Sequence, residues 1–371
     1  MRVALVTGPD PGHLIPMAGL ASLLQAAGHA PMVVTGRRWQ QTLARSDLGF
    51  TALPLLTAIG PDEDAGYRLS ARPVAMAPPL AAALRGWQPE VIVSDTLTRA
   101  GALAAGILGL PWVELVPHML ADPSSALPPF GTGWSPRPAR DGVLRRLSAR
   151  SHRRGLADRA AACAAAGLQD PAPALRLVAT LPALEPPRPD WPADAVVVGP
   201  IGFEPATAHL ALPAGDGPLI VVVGSSASQG GADLLGLAIA ALRGVRLASP
   251  RFAPYGGPLP EWACAGPGRL APLLARAALV IAPGGHGMVT TALRAGVPLV
   301  LLPGPGDQKE VAARVARLGA AERTRPGDLA RSVARVQRDP GFAAAAARIG
   351  AGAIGLPDPV RLITEIGSRG A

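Results

Sequence analysis

Gly284, Gly285, His286 and Gly287 stand in a row directly after the apolar run 279–282, and Val289, Ala292 and Leu293 follow at helical spacing. The order is strand, glycine turn, helix. Glycines let a backbone come close to a ligand, and the free N–H groups at a helix start, with the positive end of its dipole, suit a phosphate. Gly296, Val297 and Pro298 end the helix, residues 299–302 form the next strand, and Asp307 and Gln308 arrive at its carboxyl end, beside the turn. An anion cradle thus neighbours two side chains able to hold hydroxyl groups. An incidental glycine turn in an ordinary strand–helix unit would carry the same pattern without a ligand.

Three further places offer chemistry. His13 lies between Gly12 and Leu14, three residues before Pro16, in the turn after a first strand at residues 2–6; an imidazole with an ordinary pKa near 6.5 accepts a proton at working pH, though it can also merely cap a helix. Asp95 ends the buried run 90–95, at the carboxyl end of a strand, where active sites of open α/β sheets collect. Capping the helix that follows is its alternative use. Ser225 and Ser226 form a small polar turn after the strand at 219–224, fit either to face a phosphate or to cap a helix.

The elements that must position these residues alternate strand and helix twice. The first series runs from residue 2 to about 199: a helix at 14–27 ended by Gly28, a strand at 32–34, a helix at 37–44, a proline-rich loop at 57–80, then strand, helix and strand between 90 and 116. Residues 140–159 carry seven arginines on a helix that reads as a solvated face, with an anionic acceptor or membrane surface as the other reading. Residues 200–217 form a linker. A second series starts at residue 219, with helices near 233–243, 310–318, 328–338 and 341–349 and a last one at 360–367.

Composition narrows the classes. A chain of 371 residues is comfortable for two domains. Its net charge of +9 comes from one lysine and thirty-four arginines, in a sequence rich in Ala, Gly and Pro, as expected of a GC-rich, actinobacterium-like source. Thirteen aromatic residues supply no stacking surface for nucleic acid. Cys163 and Cys264 give neither a disulfide framework nor a metal spacing. Neither a signal peptide nor a membrane-length apolar run is evident, so no stable membrane insertion and a cytoplasmic location are expected.

The motifs GGHG, ALRAGVP and DQ, with G-H-x-x-P near the start, resemble the glycosyltransferases that decorate natural products, antibiotics and plant metabolites. The resemblance is strong over 284–308, fair over 2–28 and weak between 40 and 90. It departs at two positions, where Pro283 and Met288 replace the family's His and Thr, and the tryptophan that stacks on the nucleobase is missing near 266–274, with Arg269 or nearby backbone as a substitute. The resemblance and the two series of elements together imply the α/β GT-B fold, two Rossmann-like domains facing across a cleft. The domains are expected at 1–200 for the acceptor and 218–354 for the donor, with a terminal helix within 355–371 crossing back to the first.

The resemblance further implies that His13 is the general base and Asp95 its orienting partner, as in catalytic dyads. Ser225, Ser226, Gly284, Gly285, His286, Gly287, Asp307 and Gln308 are implied to bind a nucleoside-diphosphate sugar, UDP and TDP both being open. His286 is the candidate to replace the lost phosphate contacts, with a solvent-facing ring as the alternative. No cofactor and no metal are expected, although Asp62, Glu63 and Asp64 form a D-x-D string like those that hold a cation in another class of these enzymes. The partners implied are the nucleotide sugar and a small-molecule acceptor, with a homodimer left open. Two rivals are a nucleotide-sugar epimerase and a degenerate, non-catalytic partner protein.

Overall fold

A computed structural model describes residues 1–369 except 57–71, 134–137, 206, 225–232, 253–254 and 305, and gives only the backbone at 138–139. Ser225, Ser226 and the D-x-D string lie outside the described residues. The first sheet has seven parallel strands in the order β3-β2-β1-β4-β5-β6-β7. They are β1 (Arg2–Val6), β2 (Ala30–Thr35), β3 (Gly49–Ala52), β4 (Val91–Asp95), β5 (Trp112–Val116), β6 (Leu175–Val178) and β7 (Ala195–Val197). The second sheet has six parallel strands in the order β10-β9-β8-β11-β12-β13. These are β8 (Leu219–Val222), β9 (Arg246–Pro250), β10 (Ala263–Gly266), β11 (Ala277–Ala282), β12 (Leu299–Leu301) and β13 (Ala321–Arg323).

Strand order reverses direction between β1 and β4 in the first sheet and between β8 and β11 in the second. Loops leaving neighbouring strands there diverge to opposite faces and open a crevice at the strands' carboxyl ends. His13 follows β1 and Asp95 ends β4; the glycine turn follows β11. Both predicted sites therefore fall at a switch point.

Helices cover both sheets: α1 (Pro11–Ala26), α2 (Gln40–Ala44), α3 (Pro73–Arg85), α4 (Ala100–Leu108) and α5 (Pro138–Ala165) on the first series, and α6 (Leu234–Ala241), α7 (Ala271–Leu274), α8 (His286–Arg294), α9 (Gln308–Arg317), α10 (Leu329–Arg338) and α11 (Pro340–Ala351) on the second. The closing helix α12 (Pro359–Arg369) buries Val360 and Ile363 in the core of the first sheet, with α1 and β1. The β1 and β4 strands are almost wholly buried, consistent with a parallel sheet covered on both faces.

Three readings of the sequence need correction. Residues 73–80 are the start of α3 and not loop: Pro73 occupies the first turn, where its missing N–H costs nothing, and Met76, Leu80 and Leu84 are buried at helical spacing despite Pro78 and Pro79. Strands β3, β6 and β9 were not legible, since four or five residues with mixed polarity show no clear period. His13 belongs to the first turn of α1, because Asp10 caps that helix by accepting from Gly12 N–H at 2.7 Å and Pro11 starts it.

Helix α8, which begins at the glycine turn, is fixed from behind by α11. A Cβ on Gly350 would fall on the Leu293 carbonyl and lie 3.0 Å from Arg294 Cα, both in α8 and neither able to yield without moving the helix. Gly350→Ala should therefore destabilise the protein by about 1 to 3 kcal/mol, read as a lower denaturant midpoint at unchanged slope.

Candidate active site

The first switch point is built around a buried carboxylate. Asp95 is 2% exposed, and its Oδ2 accepts from Thr7 Oγ1 at 3.2 Å, from Gly8 N–H at 3.3 Å and, closely, from Thr98 Oγ1. Its Oδ1 accepts from Leu97 N–H at 2.8 Å and meets His13 Nδ1, also at 2.8 Å. Asp95 thus holds His13 and tethers the turn after β4, but it does not cap the helix that follows: the N-cap position of α4 is Arg99, with no side-chain cap bond. Burial opposes its charge, but His13 and these donors outweigh burial and hold its pKa below the usual carboxylate range. For His13 burial alone would lower the pKa, yet Asp95 outweighs it and raises the value above 6.5, with smaller help from Asp10 and Asp307.

The turn that presents His13 is rigid. Pro9 carbonyl accepts from Trp39 Nε1 at 2.7 Å and from Arg38, and Gly8 carbonyl accepts from Thr35 Oγ1 at 3.1 Å. Because a carboxylate accepts from Nδ1, the neutral imidazole keeps a lone pair on Nε2, the atom that can take a proton.

Across the cleft, Gly284 adopts φ +96°, and a Cβ there would meet the Gln308 carbonyl at 3.0 Å, so this turn needs glycine for conformation and for closeness alike. Helix α8 starts at His286 with no side-chain cap, leaving its first N–H groups directed at the cleft end of the helix. Asp307 stands at the N-cap position of α9 without a side-chain cap bond and is half-buried; burial raises its pKa, opposed by His118 and His13 of the first domain. Gln308 is buried, and its Oε1 accepts from Gly304 N–H at 2.9 Å, which fixes the turn before α9.

His286 is not the phosphate ligand expected to compensate for Pro283 and Met288. Its ring is buried between the domains, bonded to the Pro117 backbone and, through Nε2, to Thr180 Oγ1 at 2.8 Å. A proline carbonyl can only accept, so the ring N–H is used there. Burial, then His118, push its pKa down to about 3, leaving it neutral. Met288 packs on the second domain's core, and the Thr290 and Thr291 hydroxyls donate back to helix carbonyls. Arg269 is likewise committed, its Nε 3.5 Å from Glu204 of the linker.

Two features escaped the sequence reading. His118, just after β5, forms an edge-on ring contact with His13 at 6.4 Å between centroids. Glu310 and Arg314 of α9 make a buried pair at 3.0 Å that reaches the first domain: Gly133 N–H donates to Glu310 at 3.0 Å, and Arg314 donates to Leu184 carbonyl at 2.7 Å and lies 3.6 Å from Glu185. A loop histidine without a motif and charges at i, i+4 on an amphipathic helix carry no signal in one sequence.

Two parallel sheets with facing switch points, one carrying a histidine–aspartate pair and the other a glycine turn before an uncapped helix, define a GT-B protein. Residues 268–368 match the erythromycin biosynthesis protein CIII-like C-terminal domain. The chain is 28% identical to 4'-demethylrebeccamycin synthase of Lentzea aerocolonigenes, over 94% of each chain. It is 32% identical to L-demethylnoviosyl transferase of Streptomyces niveus over a shorter stretch, 31% of this chain and 34% of that one. The fold superposes on spinosyn rhamnosyltransferase SpnG with a TM-score of 0.72 and 25% identity, covering 99% of this chain and 100% of that one. The glycosyltransferase VinC, solved in complex with DTDP, gives a TM-score of 0.72 at 22% identity with both chains covered fully. The chain is similar over nearly its whole length to natural-product glycosyltransferases and has their GT-B fold.

The charge balance at His13 is directly measurable. Its imidazole NMR titration should have a midpoint above 6.5, and Asp95→Asn should move the midpoint downward, because burial then acts with its main opponent removed. A midpoint unmoved by Asp95→Asn would show that the two groups are not electrostatically paired.

Proposed function

We propose that the chain is an inverting, metal-independent glycosyltransferase that moves a sugar from a thymidine-diphosphate sugar to a hydroxyl group of a small natural-product-like acceptor. The observation that carries this reading is the His13–Asp95 pair, whose His13 is within electrostatic reach of Asp307 in the other domain. The choice of nucleotide is supported by structure neighbours, SpnG and VinC, that were solved with thymidine diphosphate.

In the proposed reaction the acceptor hydroxyl gives its proton to His13 Nε2 while its oxygen attacks the anomeric carbon. The bond from that carbon to the diphosphate oxygen breaks with its electron pair, and nucleoside diphosphate leaves from the opposite face. A single displacement inverts the configuration. Asp95 stabilises the imidazolium that forms, and Asp307 orients the sugar by its hydroxyls. With the His286 ring and both threonine hydroxyls engaged elsewhere, the developing diphosphate charge falls to the backbone N–H groups and dipole at the start of α8, together with the expected contacts of Ser225 and Ser226.

His13→Ala should lower transfer by roughly a hundredfold to ten-thousandfold while thymidine diphosphate still binds, measured by product formation and calorimetry on the same preparation. Wild-type turnover in that variant would remove the proposed base. Transfer should also survive a chelator, and the product should have the anomeric configuration opposite to the donor's. Loss of activity on chelation, restored by manganese, would turn attention to Asp62 and Asp64. A changed sugar recovered on the nucleotide without any acceptor would instead identify an epimerase.

A further inference from the structure

We propose that the linker between the two sheets and the α7 segment of the second enclose a separate site for an organic phosphate, a phosphate group joined to an apolar body. The inference goes beyond the glycosyltransferase reading and does not rest on it. A cavity of about 470 Å³ lies between linker residues 209–213, the start of β9 and α7 with its flanks. Arg246, Arg269, Arg276 and His209 supply its basic groups. Leu212, Pro272 and Leu273 give it an apolar side.

No carboxylate is among the residues that line this cavity. Half-buried arginines elsewhere in the chain are met by acids: Arg99 by Asp170 at 2.5 Å, Arg176 by Asp122 at 2.6 Å and Arg188 by Asp190 at 2.8 Å. Arg246 is half-buried as well, yet its Nε donates to the Gly217 carbonyl at 2.8 Å and its two terminal nitrogens have no partner among the described residues. The Arg276 guanidinium has none there either. Arg269 is drawn on by Glu204, whose Oε2 lies 3.5 Å from its Nε and also accepts from Leu270 N–H at 3.0 Å. Arg246 and Arg276 therefore present two uncompensated guanidiniums to one volume. Planar forks of this kind match phosphate oxygens, and two positive charges suit a dianionic phosphate better than a single carboxylate.

The linker wall is held in place by its backbone. Arg269 N–H donates to the Ala208 carbonyl at 2.9 Å, and a Cβ on Gly268 would fall 2.8 Å from Leu210 Cβ, so the linker lies directly on the loop before α7. At the linker's other end Arg246 N–H donates to the Pro218 carbonyl at 3.0 Å, beside the Nε bond to Gly217. The cavity is distinct from the cleft. Arg246 begins β9 and Arg276 directly precedes β11, at the amino ends of parallel strands, whereas the glycine turn leaves β11 at its carboxyl end. Six residues of strand separate Arg276 from that turn, a rise of about 20 Å.

Calorimetric titration of phenyl phosphate and of inorganic phosphate at low ionic strength, on wild type, Arg276→Gln and Arg276→Lys, tests the site without any sugar or nucleotide. Wild type should bind phenyl phosphate saturably and roughly tenfold more tightly than inorganic phosphate, with the ring against the apolar side of the cavity. Arg276→Gln should weaken phenyl phosphate by roughly tenfold, and Arg276→Lys, which keeps the charge without the fork, by less. Arg276 is exposed, and an unchanged thermal midpoint shows that the variants fold. Phenyl phosphate binding to Arg276→Gln as tightly as to wild type would overturn the inference, because the ligand would then sit elsewhere, as in the cleft. Equal affinity of wild type for the two phosphates would overturn it too, as the sign of an adventitious ion only. So would the absence of saturable phenyl phosphate binding to wild type.

Discussion

A carboxylate with almost no access to water sits at the end of β4, and the charge it carries organises the cleft. Burying an anion is costly unless donors and a counter-charge replace its hydration, and Asp95 recruits two hydroxyls, two backbone N–H groups and the His13 imidazole to that end. Those donors come from three places: the loop after β1, the first turn of α1 and the loop after β4. Satisfying one carboxylate therefore fixes all three relative to each other. The result is an imidazole with one nitrogen committed and the other free, held in the right tautomer before any substrate arrives.

The two domains are joined by a second buried charge cluster. Glu310, Arg314 and Glu185 lie almost out of contact with water, and burial raises the pKa of Glu185 to about 7. Such a cluster contributes little net stability, because desolvation offsets the attraction, but losing one member leaves its partner unpaired and is strongly destabilising. Its effect is positional. The helix that presents Asp307 is tied to the loop that presents His118, and the His286–Thr180 bond ties the glycine-turn helix to the strand end after β6. The two sides of the cleft are thus held by directional contacts as well as by apolar ones, since Met119, Leu181 and Leu184 of the first domain are buried in the core cluster of the second.

In the proposed anion site, the glycine turn offers its backbone where side chains offer nothing. Pro283 and Met288 side chains offer no hydrogen-bond donor, and the Thr290 and Thr291 hydroxyls and the His286 imidazole are spent on the fold. What remains among the described residues is the feature that glycine permits at position 284, a positive φ and a close approach to the Gln308 carbonyl, together with an uncapped helix start. Backbone donors do not depend on residue identity, so the proposed phosphate contacts do not require the family's side chains at positions 283 and 288.

Local signals settled much of this protein in one dimension. The turn at 284–287, the carboxylate ending a buried strand and the histidine before Pro16 were legible because each is a short-range pattern: glycine where a backbone must bend, polarity where an apolar run stops. The two series of alternating strands and helices, and with them the fold class, followed from periodicity. The direction of side chains was decided only by the folded chain. His286 lies in the turn as read, yet its ring faces Thr180, 106 positions away in sequence, and that pairing has no local trace. His118 gains its place beside His13 because β5 lies next to β4, and Glu310 and Arg314 gain theirs because α9 meets a loop from the other domain. Long-range pairing depends on which surfaces the sheets bring together, and one sequence records the surfaces without recording the meeting.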